Sequence, residues 1–478
     1  MLPSHFSVLD FGIFACVVIF ALLLALFFLL DFNAKTRSSN LPGIDSTDPD
    51  KGNFDDIQDA GSLHEFLTNL HEEYGPLASF WWGKQLVVSL ASPKMFDEVK
   101  ALFDRPKLLF EAFSDLIGNK SIQYANGAEG RKRRHLMDEG FSHTAVAYYY
   151  DDFVKVATEL SEKWASQPSD QHIPLSQHMI ALSMKAIGLA ALGNGMKDEQ
   201  QLLKMSKAYH VCWQEEEDTL KGNLPEEGDG RMEKFAESRD YLRSIIKDVI
   251  RKRRDQKDKK DQIFLDSLMD ADFIDEEELT DQTITFLIGG FHTTGNTLAW
   301  CLYFLATHEE VQEKLYQEFV DVLGEETITA QILPQLKFCR QVTDETMRCS
   351  ALAPWAARYA DYDIQIGEHV IPKQTPIITA LGVVLKDEDV WPDPDKFDPE
   401  RFNAEEIKKR HPMAFQPFGF AGKRKCPGYR FSYAEVAVVL SVFLRRFKIH
   451  MVEGQVVEPE YRLVTQPKEE IWITVTER

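Results

Sequence analysis

The sequence predicts a mainly α-helical protein with small β-sheets, organised as one large module behind a single N-terminal transmembrane helix. Three observations carry this. A twenty-residue uncharged apolar run stands near the N-terminus, Phe11 to Leu30. A long stretch from about Arg131 to Ser350 has mostly helical patterning. Short alternating segments with turn signals, which read as strands, are confined to the neighbourhood of Ser79–Leu90 and to the last third of the chain.

The apolar run comes first. At about 1.5 Å per residue, a helix of that length spans about 30 Å, the thickness of a bilayer core. No Lys or Arg precedes it, whereas Lys35 and Arg37 follow it. A signal peptide carries its basic segment on the other side of a shorter apolar core. The positive flank is expected to remain cytosolic, so the run reads as an uncleaved anchor with the main domain in the cytosol. Residues 1–31 are the expected anchor and 32–60 the linker, broken by Leu41-Pro42-Gly43; residues 61–478 are the globular module.

Within the module, Ser79 to Leu90 reads as a hairpin turning at Gly83-Lys84. Asp281 to Thr307 is the most apolar helical pattern and is expected to be central and buried. Ile364 to Ile378 alternates and reads as short strands, and Tyr461 to Val475 reads as a terminal hairpin. Arg251 to Lys260 holds seven basic residues among ten. It reads as a solvated helix end and loop, with membrane-surface contact as the alternative.

The formal net charge of −22 over 478 residues argues against nucleic acid as a partner, because binding a polyanion needs a basic footprint. Six cysteines, with no CxxC pair, exclude a disulfide framework and a zinc site and suit a reducing compartment. One of the six stands apart. Cys426 follows Lys423, Arg424 and Lys425 and precedes a helical pattern from about Tyr429 to Phe447. Positive charge and a helix N-terminus both favour the thiolate, the form that binds metal. Gly419 and Gly422 let the loop backbone approach a flat ligand closely.

The segment from Gln416 to Gly428 resembles the haem-binding signature of the cytochrome P450 superfamily, Phe-x-x-Gly-x-Arg-x-Cys-x-Gly. Gly422, Arg424, Cys426 and Gly428 match. Phe418 lies eight positions before the cysteine instead of seven, so either the loop has one extra residue or Phe420 takes the packing role. Glu345-Thr346-Met347-Arg348 resembles the Glu-x-x-Arg pair of the superfamily, and Phe397 to Phe402 resembles its PERF segment. The resemblance implies a buried structural triad of Glu345, Arg348 and Arg401. Phe286 to Thr294 is similar to the oxygen-binding stretch, with Gly289, Gly290 and Thr293 in register and His292 where an acid is usual.

A neutral imidazole at His292 would relay protons, while a solvated helix histidine would do nothing. Thr293 would deliver protons, or merely bond back to a helix carbonyl. Haem b carries two propionates, and the resemblance places Arg134, Arg358 and Arg424 on them. Gly130 stands where a Trp donor is usual, leaving Arg131 or Lys132 as substitutes. Within the superfamily the chain most resembles cytochrome P450 family 20, through segments such as Gly61–Leu67, His71–Pro76 and Pro174–Met179.

The resemblance implies the cytochrome P450 fold and a haem-thiolate monooxygenase in which Cys426 is the axial ligand of the iron. One atom of O2 would enter an apolar small molecule, possible classes being sterols and lipid-like compounds. Electrons would come from NADPH through NADPH–cytochrome P450 reductase, with cytochrome b5 as a second donor. Lys423, Lys425 and Arg430 form a basic rim on which an acidic reductase would dock. The expected location is the endoplasmic reticulum membrane, single-pass, with the haem domain facing the cytosol. Two other readings stay open: a haem enzyme that rearranges peroxides without a reductase, and a haem- or lipid-binding protein of low turnover.

Overall fold

The computed structural model describes residues 18–20, 22–23, 39–193, 199–221, 223, 225–226, 228–256, 263–420 and 422–478. The expected transmembrane run therefore lies outside the described residues except for Val18, Ile19, Phe20, Leu22 and Leu23. Those five are helical and exposed.

The architecture is organised around one long helix, Glu276–Thr307, referred to below as the central helix. It starts five residues earlier than the apolar pattern suggested. Asp275 caps it by accepting the Glu278 N–H at 2.8 Å, and three glutamates in its first turn complement the helix dipole. Its neighbours bury most of its length, and Gly289 and Thr293 lie on a side that they leave open.

Its main neighbour is the Leu175–Leu192 helix, and two glycines set their spacing. A Cβ on Gly290 would stand 2.6 Å from Ile187 Cγ1, and one on Gly295 would stand 2.9 Å from Ile180 Cα. Neither position has room for a side chain. Among the described residues, Leu175–Leu192 is the one helix long and apolar enough to cross a membrane. It is largely buried between its neighbours and is a core helix.

Four small sheets flank the helices. β1 (Leu77–Trp82) and β2 (Gln85–Leu90) form the expected hairpin, with Trp82 opposite Gln85 and a two-residue turn at Gly83-Lys84. β3 is Ile173–Pro174, β4 Ala356–Arg358, β5 Ile364–Ile366, β6 His369–Ile371 and β7 Ile377–Thr379. β7 joins β2 in parallel and β4 antiparallel, which gives the order β1-β2-β7-β4. β5 and β6 form a separate hairpin.

The end of the chain differs from expectation. Tyr461 to Val475 does not fold back on itself. β9 (Pro459–Glu460) pairs with β10 (Gln466–Pro467), whereas β11 (Trp472–Glu477) pairs with β8 (Phe447–Met451) and β3. The reason is burial. Ile473 is fully buried and Val475 nearly so, and β8 emerges from the helix after the cysteine to cover them.

The described part of the basic run is a solvated helix end, as expected, with Arg253 as the exception. Its first part ends the Arg231–Asp255 helix, where buried Arg253 donates to Asp266 at 2.9 Å. Arg251 and Lys252 pair with Asp248, and Arg254 pairs with Glu276. Residues 257–260 lie outside the described residues.

Candidate active site around Cys426

The cysteine loop is built by its glycines and closed by one backbone bond. Gly419 and Gly422 have φ of 75° and 85°, the left-handed region that glycine enters without strain. A Cβ on Gly422 would lie 2.5 Å from the Lys100 carbonyl oxygen, so only glycine lets the loop press onto that segment. The Cys426 N–H donates to the Phe418 carbonyl at 2.9 Å. The Tyr429–Arg446 helix begins just beyond, with Gly428 as its N-cap.

The two phenylalanines divide the packing. The ring of Phe418 meets Tyr433 edge-on at 4.9 Å on the following helix. Phe420 is fully buried against Phe96 in a different apolar cluster. The longer spacing thus comes with two anchored aromatic rings instead of one.

Burial pushes the Cys426 thiol up, while the Gly428 N–H, Arg134, Arg105 and Lys425 pull it down. The net direction is upward. The cations and the helix start act in the expected direction, toward the thiolate, and desolvation opposes them. Those cations still set this thiol apart. Burial pushes Cys212, Cys301 and Cys349 up to about 12. Cys16 lies outside the described residues.

Four arginines gather beside this loop: Arg105, Arg134, Arg358 and Arg424. Desolvation holds three of them below the usual guanidinium range, and mutual repulsion adds to it: Arg105 at about 10, Arg424 at about 9, and Arg358 well below its ordinary value. Arg134 donates to Asp138 at 2.8 Å and to the Lys425 carbonyl, which ties its helix (Gly127–Gly140) to the cysteine loop.

Arg424 is occupied by backbone. It donates to the carbonyls of Phe103, Ile122 and Ala125, at 3.3, 3.0 and 2.6 Å. Its geometry is that of a clamp between the cysteine loop and the 103–125 segment. Arg358, 2% exposed, has one bond, to the Ala357 carbonyl, and its Nε and Nη2 have no partner among the described residues. No carboxylate pairs with Arg105 or Arg358 among the described residues.

A buried cation with free donors is costly unless an anion meets it. Carboxylates of a bound group would satisfy these guanidinium donors. The residues therefore fit a haem with two propionates.

Arg105 is a functional candidate that the sequence did not reveal. It lies in a loop with no motif around it. Gly130, by contrast, has a clear structural cause. A Cβ there would stand 2.3 Å from the Ala125 carbonyl oxygen and 3.1 Å from Phe103, so no Trp fits. The suggested substitutes are engaged elsewhere: Arg131 stacks over Phe103 and Lys132 over Phe273.

On the central helix, the expected oxygen-binding stretch separates by face. Gly289 is exposed within an otherwise buried helix, and a Cβ on it would meet nothing within 4 Å. Thr293, one turn on, shares that face and donates from Oγ1 to the Gly289 carbonyl at 2.8 Å. Gly290 faces away and is a packing glycine, as described above; it leaves no space for a ligand. This corrects its assignment.

His292 is neither solvated nor on the Gly289–Thr293 face. It is 3% exposed, with its ring 4.6 Å from Trp213 and 5.5 Å from Tyr209 on the Glu199–Leu220 helix. Burial depresses its pKa to about 3, and its Nδ1 has no hydrogen-bond partner among the described residues.

The structural triad forms as expected. Arg348 holds Glu345 with two bonds, 2.7 and 2.9 Å, and Arg401 lies 3.4 Å from Glu345 Oε1. Glu345 also accepts the Asp398 N–H at 2.8 Å. Arg348 donates further to the carbonyls of Leu385, Pro394 and Lys396. Both members of the pair are fully buried. The triad fastens the Lys337–Cys349 helix to the PERF segment, which is a 3-10 turn at Pro399–Phe402.

Comparison with known proteins agrees with this geometry. The cytochrome P450 family model matches residues 47–475. A bovine (Bos taurus) protein named Cytochrome P450 20A1 is 39% identical over 98% of this chain and 100% of its own length. The human (Homo sapiens) protein of the same name is 36% identical over the same shares. A Bacillus subtilis (strain 168) protein named Bifunctional cytochrome P450/NADPH--P450 reductase 2 is 26% identical over 87% of this chain and 41% of its own. The chain belongs to the cytochrome P450 family, within which it most resembles family 20, and is a haem-thiolate oxidoreductase of the monooxygenase type.

Proposed function

We propose that this protein inserts one oxygen atom of O2 into an apolar small molecule, using NADPH electrons delivered by a reductase. The observation that carries the reading is the cluster of buried Arg134 and Arg358 and half-buried Arg105 beside Cys426, with donors on Arg358 left unpartnered among the described residues. Cys426 would ligate the iron, and Arg358 and Arg105 would hold the propionates, with Arg134 beside them. Arg424 and Gly422 would keep the loop in place. Haem with a thiolate ligand supplies the oxygen chemistry of this family.

The other residues prepare that site. The missing Cβ at Gly289 leaves room beside the central helix. Thr293 holds a hydroxyl proton on the same face, and rotation away from the Gly289 carbonyl would free it to donate into that room. His292 takes no part in that relay, because its buried ring turns to Trp213 and away from the Gly289–Thr293 face. Lys423, Lys425 and Arg430 are exposed beside the cysteine loop and offer a basic rim to an acidic reductase or cytochrome b5. The reductase fused to the Bacillus relative supports this electron source. The uncharged run at Phe11 to Leu30 supports a membrane anchor, with the endoplasmic reticulum as the proposed site and the haem domain in the cytosol.

The test is the carbon monoxide difference spectrum of the reduced protein, followed by turnover with and without reductase and NADPH. A Soret band at the thiolate position and NADPH-dependent product are the expected results. Turnover of a peroxide with no need for NADPH would favour the rearranging enzyme instead. A haem protein with no turnover under either condition would favour the binding protein.

A further inference from the structure

The Glu199–Leu220 helix packs one stripe inward: Met205, Tyr209, Cys212, Trp213, Glu216 and Glu217 are all buried. Four of these are the apolar or aromatic residues that such a stripe calls for. The two carboxylates are not, and they differ from each other. Glu217 is satisfied, since it accepts the Leu463 N–H at 3.2 Å and has Arg462 and Lys221 nearby.

Glu216 has no such company. It is 3% exposed, and its Oε1 has no hydrogen-bond partner among the described residues. The charges acting on it are Asp115, Glu215 and Glu217, all negative. One turn back, the Nε1 of Trp213 is also buried and unpartnered, as are the hydroxyl of Tyr209 and the Nδ1 of His292. Trp213 packs on Phe113 at 5.3 Å and on His292 at 4.6 Å. The stripe therefore joins aromatic rings to a carboxylate that lacks a cation.

Electron-rich ring faces with an adjacent carboxylate are the chemistry that recognises an ammonium group. Burial and the neighbouring acids push the Glu216 carboxyl up to about 9, so it stays protonated in the empty protein, and a cation from outside would let it ionise as a paired charge. Tyr209 and Phe291 also line an apolar cavity with Met184, Met205, Leu242 and Ile246. This cavity is small and touches the stripe at Met205 and Tyr209, so a hydrocarbon chain entering there must displace the apolar side chains around it. His292 follows Gly289 by three positions on the central helix, so the stripe also borders the proposed reaction face.

We propose that Glu216, with the rings of Trp213 and Tyr209, binds the cationic head of an amphiphilic substrate, a quaternary or protonated amine on a hydrocarbon chain. This deepens the monooxygenase reading, on which the word substrate rests.

The test uses the full haem-loaded chain and two probes of equal shape: decyltrimethylammonium, kept below its micelle concentration, and its uncharged isostere 2,2-dimethyldodecane. A quaternary nitrogen has no lone pair, so it cannot ligate iron and mimic binding. Affinity is read by calorimetry and by quenching of tryptophan fluorescence. The wild-type protein is expected to bind the cation at least tenfold more tightly than the isostere. Glu216→Gln and Glu216→Met are expected to lose that preference while still binding the isostere, and Glu215→Gln is expected to keep it. Equal affinity for the two probes in the wild type overturns the proposal whether or not the variants fold. A preference that survives in Glu216→Gln also overturns it. The carbon monoxide spectrum of the same preparations tests the haem reading separately.

Discussion

Thr293 donates its hydroxyl proton to the carbonyl of Gly289, one turn earlier, at 2.8 Å. The bond keeps the hydroxyl on the one face of the central helix that is not covered by protein. Thr293→Ala is therefore expected to leave folding intact and to raise, severalfold, the share of NADPH electrons released as hydrogen peroxide. Peroxide yield per NADPH consumed is the measurement, and an unchanged yield would remove Thr293 from the proton path.

The two glycines of this stretch make opposite predictions. Gly289→Ala meets open space and gains helix propensity, so stability is expected to stay level or rise by up to about 1 kcal/mol. Its cost should fall on turnover. Gly290→Ala drives a methyl group onto Ile187, and overpacking of that kind costs about 1–3 kcal/mol. Urea unfolding and turnover on both variants separate the two roles.

Cys426→Ser is expected to lose the thiolate-type spectrum, and Cys349→Ser to keep it. Cys349 instead lies 2.9 Å from Arg348 Nη2 at the edge of the structural triad. Breaking that triad is a stability event. Glu345→Ala leaves Arg348 buried without its partner and should cost about 3–5 kcal/mol, read by denaturant unfolding.

The arginines beside the cysteine are expected to split in the same way. Arg358→Met removes an unpartnered buried cation, so haem should transfer faster to a scavenger globin with no loss of stability in the haem-free protein. Arg424→Met strips three carbonyls of their donor. At about 1 kcal/mol or more for each unmade bond, it should destabilise even the haem-free fold. Equal effects from the two substitutions would contradict the division between clamp and anion site.

Stability should fall on both sides of neutrality, for different groups. Burial depresses His292 to about 3 and His64 and His178 to about 4, from 6.5. Below pH 6.5 the unfolded chain takes up protons that the folded one refuses. The buried rings of His292 and His64 then each cost roughly 1 kcal/mol per pH unit until the folded pKa is reached, and the partly exposed His178 costs less because solvent screens it. Burial raises the fully buried Glu435 from 4.5 to about 8, and the nearby Ser183 hydroxyl offsets this only in part. Its neutral folded form loses stability relative to the ionised unfolded form as pH rises through that window. His292→Phe is expected to make the acid limb shallower by one proton, and Glu435→Gln to remove the loss that accrues as pH rises from 4.5 to about 8. Melting curves from pH 4 to 9 check both.

The sequence by itself determined the parts whose chemistry is local. A cysteine among basic residues at a helix start, two loop glycines, Glu345 and Arg348 at i and i+3, and an uninterrupted apolar helix are all visible along the chain. The β1–β2 turn was legible for the same reason, because Gly83-Lys84 fixes it within two residues.

Tertiary structure decided everything that depends on which face a residue turns and what lies opposite. Gly289 and Gly290 are adjacent and identical in type, yet one opens to space and the other is pressed against Ile187. His292 stands in a motif that suggested proton relay, but a helix turns about 100° per residue, and its ring points to Trp213. Arg105 joined the site from a loop with no pattern of its own, brought there by folding. Arg424 carries the signature's charge, yet backbone carbonyls from the distant 103–125 segment occupy it, while Arg358 keeps free donors. The strand β11 chose β8 over its own neighbour because burying Ile473 required it. Spacing fixes chemical identity along the chain, whereas burial, partner and free valence belong to pairs of residues far apart in it.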